Sequence, residues 1–419
     1  MASRTTHRVL DTRSLNRATL DRQLLLGRAQ MSARDAVQHL LGLQAQNVKP
    51  PYFQLHARLA GFRPTELAGL MESRDVVRMV TMRSTIHTHT AHDAFLLRPL
   101  VQPARDREVN YFRKGLVGVD LDRLARRARA FVEEEPRTMA EIREELVEEW
   151  PGADPQSLSV AARCLLPLVQ VTPRGVWGRS GGVRLTTLGE WTREREGEGA
   201  GSFADGPRAA DGVEATDRVD GIGGIDDADH PQGIDGLVLR YLRAFGPASV
   251  KDMQTWAGLT RLREPFERLR PRLAVFQDEN GVELFDLPDA PRPDADVPAP
   301  PRFLPEFDNL LLSHADRSRV VAPALKGRSW SGNQAHCTLL LDGFLSGLWK
   351  LDGATLTVEL FSPAPKALEA EIVAEGEALL AAMAAEGPGD AVAGGLAPVS
   401  GSLAGSLATG IVRFGSIHG

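Results

Sequence analysis

The chain has 419 residues, 42% hydrophobic and 25% charged, with a formal net charge of −6, enough for about two or three domains and a sizeable core. No run of about 18 apolar residues occurs, so no membrane partner is expected, and the polar start Met1–His7 has no apolar signal core, which points to a cytoplasmic protein. Cys164 and Cys337 lack zinc spacing and read as two thiols in a reducing compartment.

The charge is unevenly placed. Residues 196–236 hold 11 Asp/Glu against 2 Arg, so the rest of the chain is net positive. Residues 98–129 carry 9 Lys/Arg against 4 Asp/Glu, and Arg261–Arg272 carries five arginines against two glutamates. Such patches suit phosphate binding as well as a solvated helix face.

In chain order, Leu15–Leu25 reads as a helix. Ser32 is an N-cap with Asp35 three residues on, an aspartate form of the capping box, and Ala33, Ala36, Val37, Leu40, Leu41 and Leu43 keep helical spacing. Helices at Pro51–Leu59 and Thr65–Met71 follow, then two strands around a tight turn in Val76–His89. A second set has helices near Met139–Glu149 and Pro155–Leu166 and strands at Val169–Thr172 and Val183–Thr187, with Gly175, Gly178, Gly181 and Gly182 between them. A third has helices at Gly236–Arg243, Val250–Ala257 and Leu262–Leu269 and strands at Leu273–Gln277 and Val282–Leu287. Helices followed by a strand pair, repeated, suggest winged helices in tandem. The last region reads as strands at Phe307–Leu312, Arg319–Ala322, Ala335–Leu341, Gly343–Lys350 and Thr355–Phe361, closed by a helix at Ala364–Ala385.

The expected fold is therefore α+β: three tandem winged-helix units (8–100, 101–195 and 235–290) and a small C-terminal β-barrel-like sheet with a closing helix (300–386). An acidic linker expected to be disordered spans 196–234. A Gly/Ala/Ser-rich tail spans 387–419, with a last strand near Ile411–Phe414.

The most informative step is Gln44-Ala45-Gln46, just before Pro50-Pro51. Where the backbone turns extended at the helix end, residues two apart face the same side, so two side-chain amides can share one water or polar ligand. A polar helix C-cap is the plain alternative. There is no phosphate-binding GxxxxGK[ST] loop, HExxH or GxSxG. His87, His89 and His92 lack a specified third ligand, so neither metal nor cofactor is expected.

Leu40–Gln46, Tyr52–Phe62, Met82-Arg83-Ser84-Thr85-Ile86-His87 and Leu304–Leu311, in that order, resemble the winged-helix DNA glycosylases, and most closely their azinomycin-resistance (AlkZ-like) branch of alkylpurine and crosslink glycosylases. The resemblance spans most of residues 10–385. It implies three winged helices and a small barrel around a DNA channel, with damaged double-stranded DNA as partner, and three tandem wings in one chain suit a monomer. The branch signature is Gln-apolar-Gln, so the catalytic role carries over to Gln44 and Gln46.

The chemistry fits. An N7-alkylguanine is already a cation and leaves without an acid, so the enzyme needs only to place water and stabilise an oxocarbenium-like sugar. An amide oxygen does both. No lysine lies within the motif, so no lyase step is expected. Lys49, Arg83, Ser84 and His87 are candidate DNA contacts near it. Arg83 could equally brace the wing against a helix. A hairpin tip is expected over Leu312–Arg319, with His314, Arg317 and Arg319 as groove contacts, or else as an ordinary surface loop. Asp308 or Asn309 is expected to cap a turn. The competing function is a non-enzymatic winged-helix regulator, which would read a palindrome as a dimer.

Overall fold

The computed structural model describes residues 7–193, 233–384 and 410–417. The linker expected at 196–234, up to residue 232, and the tail from 387 to 409 lie outside the described residues. No described helix is long and apolar enough to cross a membrane.

A first set of elements comprises β1 (Arg8–Leu10), α1 (Thr12–Arg22), α2 (Ala33–His39), β2 (Leu43–Gln44), α3 (Pro50–Arg58), α4 (Pro64–Glu72), β3 (Val76–Val80) and β4 (Ile86–Thr90). Ser32 caps α2 as expected, its hydroxyl accepting from the Asp35 amide at 3.0 Å. The helix stops short of Leu43 because Leu41 and Gly42 take left-handed backbone, φ 56° and 90°. A Cβ on Gly42 would overlap the His89 ring, so only glycine fits there.

Next come α5 (Ala91–Leu100), α6 (Gln102–Tyr111), α7 (Leu121–Glu134), α8 (Met139–Glu149), α9 (Pro155–Leu165), β5 (Leu168–Gln170), β6 (Leu185–Thr187) and α10 (Leu188–Arg193). The arginine-rich stretch over 98–129 falls largely on α6 and α7. The third set is α11 (Gly233–Phe245), α12 (Val250–Ala257), α13 (Arg263–Leu269), β7 (Ala274–Asp278) and β8 (Glu283–Asp286). Each strand pair follows its helices, but the sets are not independent. β3 pairs with β5, Met79 opposite Val169, so the first two strand pairs form one sheet of order β2-β4-β3-β5-β6. Near the N-terminus, β1 runs parallel to β7, Arg8 opposite Phe276, and completes the third sheet.

The C-terminal region holds β9 (Arg302–Leu304), α14 (Asn309–Leu312), β10 (Trp330–Ser331), β11 (Gln334–Ala335), β12 (Thr338–Leu341), β13 (Phe344–Asp352), β14 (Thr355–Leu360), α15 (Lys366–Ala384) and β15 (Ile411–Phe414). Ile372, Leu379 and Leu380 of α15 pack on Trp349, Leu356 and Val358 of the sheet. The expected last strand is present as β15.

Four expectations fail here. The barrel-like sheet is open, ordered β15-β14-β13-β12-β9, with β9 and β15 as its edges. The expected strand at Phe307–Leu312 is α14, because the Asp308 carboxylate accepts from the Leu310 amide at 2.9 Å and starts a helix. The expected strand at Arg319–Ala322 is a turn, with the Val320 and Val321 amides donating to the Arg317 carbonyl at 2.9 and 2.7 Å. There is thus no hairpin tip at Leu312–Arg319. The hairpin is β10–β11, around Gly332-Asn333.

Asp308 also meets Arg58 of α3 through two hydrogen bonds of 2.8 and 2.7 Å, both side chains fully buried. Removing one partner of such a pair leaves a buried, uncompensated charge. We expect Asp308→Ala to lower unfolding free energy by about 3–5 kcal/mol, read from the urea midpoint. A change below about 1 kcal/mol would mean that the pair is not the fastening described here.

Candidate functional site

The glutamine step sits on the edge strand of the fused sheet. Gln44 lies opposite His87 in β4, and the Ala45 amide continues the pairing by donating to the Ile86 carbonyl at 2.8 Å. Leu43 and Ala45 are fully buried. On this extended backbone Gln44 and Gln46 fall on the other face together. They differ in environment: Gln44 is 3% exposed and Gln46 faces solvent.

Arg83 fixes Gln44. Its Nη2 donates to the Gln44 side chain at 2.6 Å, and since a guanidinium only donates, the atom it meets is Oε1. Its Nη1 donates to the carbonyl of Trp256 at the end of α12. Arg83 itself sits at φ 53° in the short turn between β3 and β4. Burial, then the charge of Arg317, push its guanidinium down to about 10, which leaves it charged at neutral pH. From the backbone side, Gln54 Nε2 donates to the Gln44 carbonyl at 3.0 Å, and Asn309 Nδ2 donates to the Gly42 carbonyl at 2.8 Å. Gln46 has one long contact, from the Ile86 amide to its Oε1 at 3.5 Å, and is otherwise open to water.

The C-terminal region supplies the neighbouring surface. Asn47 donates to Glu306 Oε1 at 2.8 Å, and the Cys337 thiol donates to Glu306 Oε2 at 3.2 Å. Burial and this carboxylate raise the Cys337 pKa well above the usual thiol value. Phe307 meets Trp330 edge to face, with centroids 5.7 Å apart, and the Arg317 guanidinium lies 5.7 Å from the same Trp330 ring. Arg317 is half-buried, and its side chain makes no hydrogen bond or ion pair among the described residues.

The structure sorts the residues expected from the sequence. Gln46, Lys49 and Ser84 are exposed around the motif. Arg83 stands beside Gln44 and braces the β3–β4 turn against the end of α12. His87 is corrected: it is 1% exposed and its Nδ1 meets the Thr85 carbonyl at 3.0 Å, so it cannot reach a solvent-side ligand. His314 and Arg319 are corrected too. His314 Nε2 donates to the Phe245 carbonyl at 2.9 Å, and Arg319 Nη1 donates to the Pro247 carbonyl at 2.8 Å. Both clamp the C-terminal region to α11–α12 and are buried. Glu306 and the hairpin carrying Trp330 were missed. The hairpin strands are too short to show alternation; the Gly332-Asn333 turn was the available signal.

A family model described as DNA glycosylase AlkZ-like matches residues 37–382. The chain therefore belongs to the AlkZ-like DNA glycosylase family, a family of DNA repair enzymes, and this sets aside the regulator reading. Among solved structures, the DNA glycosylase AlkZ of Streptomyces sahachiroi shares its fold, with a TM-score of 0.67 and 18% identity over 89% of this chain and 97% of that one. No curated protein sequence matches the chain.

Buried histidines give the platform a pH signature. Burial, opposed by Asp93 and helped by Arg240, lowers His89 to about 4. His87 and His314 are lowered as well, chiefly by burial. These rings stay neutral in the folded state while the unfolded chain protonates them below about 6.5, so their stability is whole above that pH and lost as pH falls. Unfolding free energy should drop between about pH 6.5 and pH 4 by up to about 1.4 kcal/mol per pH unit for each histidine. Urea midpoints measured across that range check this; a flat profile contradicts it.

Proposed function

We propose that this protein is a monofunctional DNA glycosylase that hydrolyses the N-glycosidic bond of cationic alkylpurines, N7-alkylguanine first among them, and that its open site also admits interstrand crosslinks. One observation carries the reading: a solvent-facing amide, Gln46, stands two residues from an amide, Gln44, whose oxygen is fixed by Arg83 at 2.6 Å. The C1′–N bond breaks with both electrons going to the purine, which leaves neutral. Water held by Gln46 Oε1 adds to C1′ of the oxocarbenium-like sugar and releases its proton to solvent. Gln44, buried and braced, orients the step and tolerates little movement. Glu306, tied to the motif through Asn47, adds negative potential as positive charge grows on the sugar.

Neutral amides are weak catalysts for an undamaged nucleoside and sufficient for a base that is already a cation. Lys49 is exposed and lies outside the motif, which favours hydrolysis over a lyase step. We read the three helix-and-strand-pair sets as winged helices with the boundaries 8–100, 101–195 and 235–290, in a monomer acting on damaged duplex DNA at the nucleoid. The exposed setting of Gln46 suits a bulky lesion approached in a groove rather than a base flipped into a tight pocket. The groove contact falls to Arg317 and the β10–β11 hairpin, with Trp330 at its base.

Duplex DNA carrying N7-methylguanine tests the reading. Base release should fall about 100-fold in Gln46→Ala and in Gln44→Ala, with no release from undamaged DNA by any form. Release unchanged in both variants overturns it. Arg317→Ala should weaken duplex binding uniformly across sequences and reduce the salt slope by about one; wild-type affinity would remove the groove contact.

A further inference from the structure

We propose that the cleft between Val48 and the loop Arg174–Gly182 binds a backbone phosphate of the DNA, next to the nucleotide presented to Gln46. The identity of the polymer rests on the reading above; the anion site rests on its own residues. The cleft has a volume of about 580 Å³ and opens between the end of the glutamine segment and the glycine-rich loop joining β5 to β6.

Arg174 lines the cleft, and a second guanidinium, that of Arg78, lies behind its wall. Arg78 is 2% exposed and lies directly under Gly175, where a Cβ would come within 2.5 Å of its Cδ. Arg78 Nη2 donates to the Ala45 carbonyl at 2.9 Å, but its Nη1 is buried with no partner among the described residues, as is Nε of Arg174. Arg174 Nη1 reaches only the Gly181 carbonyl, at 3.3 Å. Among the described residues neither side chain has a carboxylate in ion-pair range. The two charges feel each other: burial and then Arg174 lower the pKa of Arg78 to about 10. Adjacent like charges with orphaned donors are costly unless an anion joins them.

The rest of the cleft suits a phosphate. Arg179 stands at the exposed rim, held 3.2 Å from the Glu72 carboxylate. Ser180, Gly181 and Gly182 line the cleft with little bulk, so a backbone can approach closely. The loop is fixed from behind, by the Tyr52 hydroxyl donating to the Gly175 carbonyl at 2.7 Å and by Trp177 packed on Tyr52 with centroids 4.8 Å apart. Val48 is two residues beyond Gln46, at most about 7 Å away, which keeps the cleft beside the nucleotide at Gln46. Arg78 bonds the residue between the two glutamines, so an anion here also steadies the catalytic step.

The probe is an undamaged duplex, with binding measured against salt concentration. Arg174→Gln removes one charge, and Gly182→Asp places a carboxylate at a position where a Cβ meets nothing within 4 Å. Both variants should melt like the wild type, bind the duplex about 10-fold more weakly, and lose about one unit of salt slope. Wild-type affinity in both folded variants overturns the site, and so does weaker binding with an unchanged salt slope, since that contact would not be to a phosphate. If Arg174→Gln does not fold, Gly182→Asp alone decides. Base release by the wild type is scored separately. Release with unaltered variant affinity removes only the phosphate site; variant-sensitive affinity without release removes only the glycosylase chemistry.

Discussion

The buried pair of Arg58 and Asp308 is the fastening on which the site depends. It joins the helix after the glutamine segment to the segment that opens the C-terminal region, 250 positions later in the chain. Its neighbours reach the motif directly. Arg58 also donates to the Gln54 carbonyl at 3.1 Å, Gln54 donates to the Gln44 carbonyl, and Asn309 donates to the Gly42 carbonyl. A buried ion pair of this kind adds little net stability over an apolar replacement, yet breaking one half is severe. Its value lies in register: the two segments fit together in one way, and the backbone of Gln44 is set by that fit.

Around this fastening, water is excluded on one side of the motif and admitted on the other. Gln44, His87 and His89 are buried, and desolvation keeps the histidines neutral. Gln46, Lys49 and Ser84 are exposed. The proposed chemistry asks for no proton donor, so neutral rings and amides suffice for it, and it depends on placement. The Arg83 brace, which ties Gln44 to the end of α12, joins two helix-and-strand-pair sets distant in sequence.

Much of the local architecture was legible. Ser32 and Asp35 marked the start of α2, the glycine-rich turns marked strand pairs, and α8, α12 and α15 fall close to their expected bounds, because capping and amphipathic spacing act over a few residues. The misreadings share a cause. The apolar run at Phe307–Leu312 fits strand or helix equally by composition, and Asp308 as N-cap decided for helix. His314 and Arg319 look like surface charge in sequence, but α11 and α12 cover them and give them carbonyl partners. Joining of the first two strand pairs through β3 and β5 leaves no trace in either segment alone.

The sequence by itself determined that two amides stand two residues apart, and on extended backbone such residues share a face whatever the rest of the chain does. It also determined the repeated helices-then-strand-pair order. Only the tertiary structure decided that Gln44 is locked by Arg83 while Gln46 meets water, that Asp308 holds the segment in register, and that Arg78 and Arg174 stand together with no acid paired to either among the described residues. Those facts depend on contacts between residues tens to hundreds of positions apart, which no local pattern encodes.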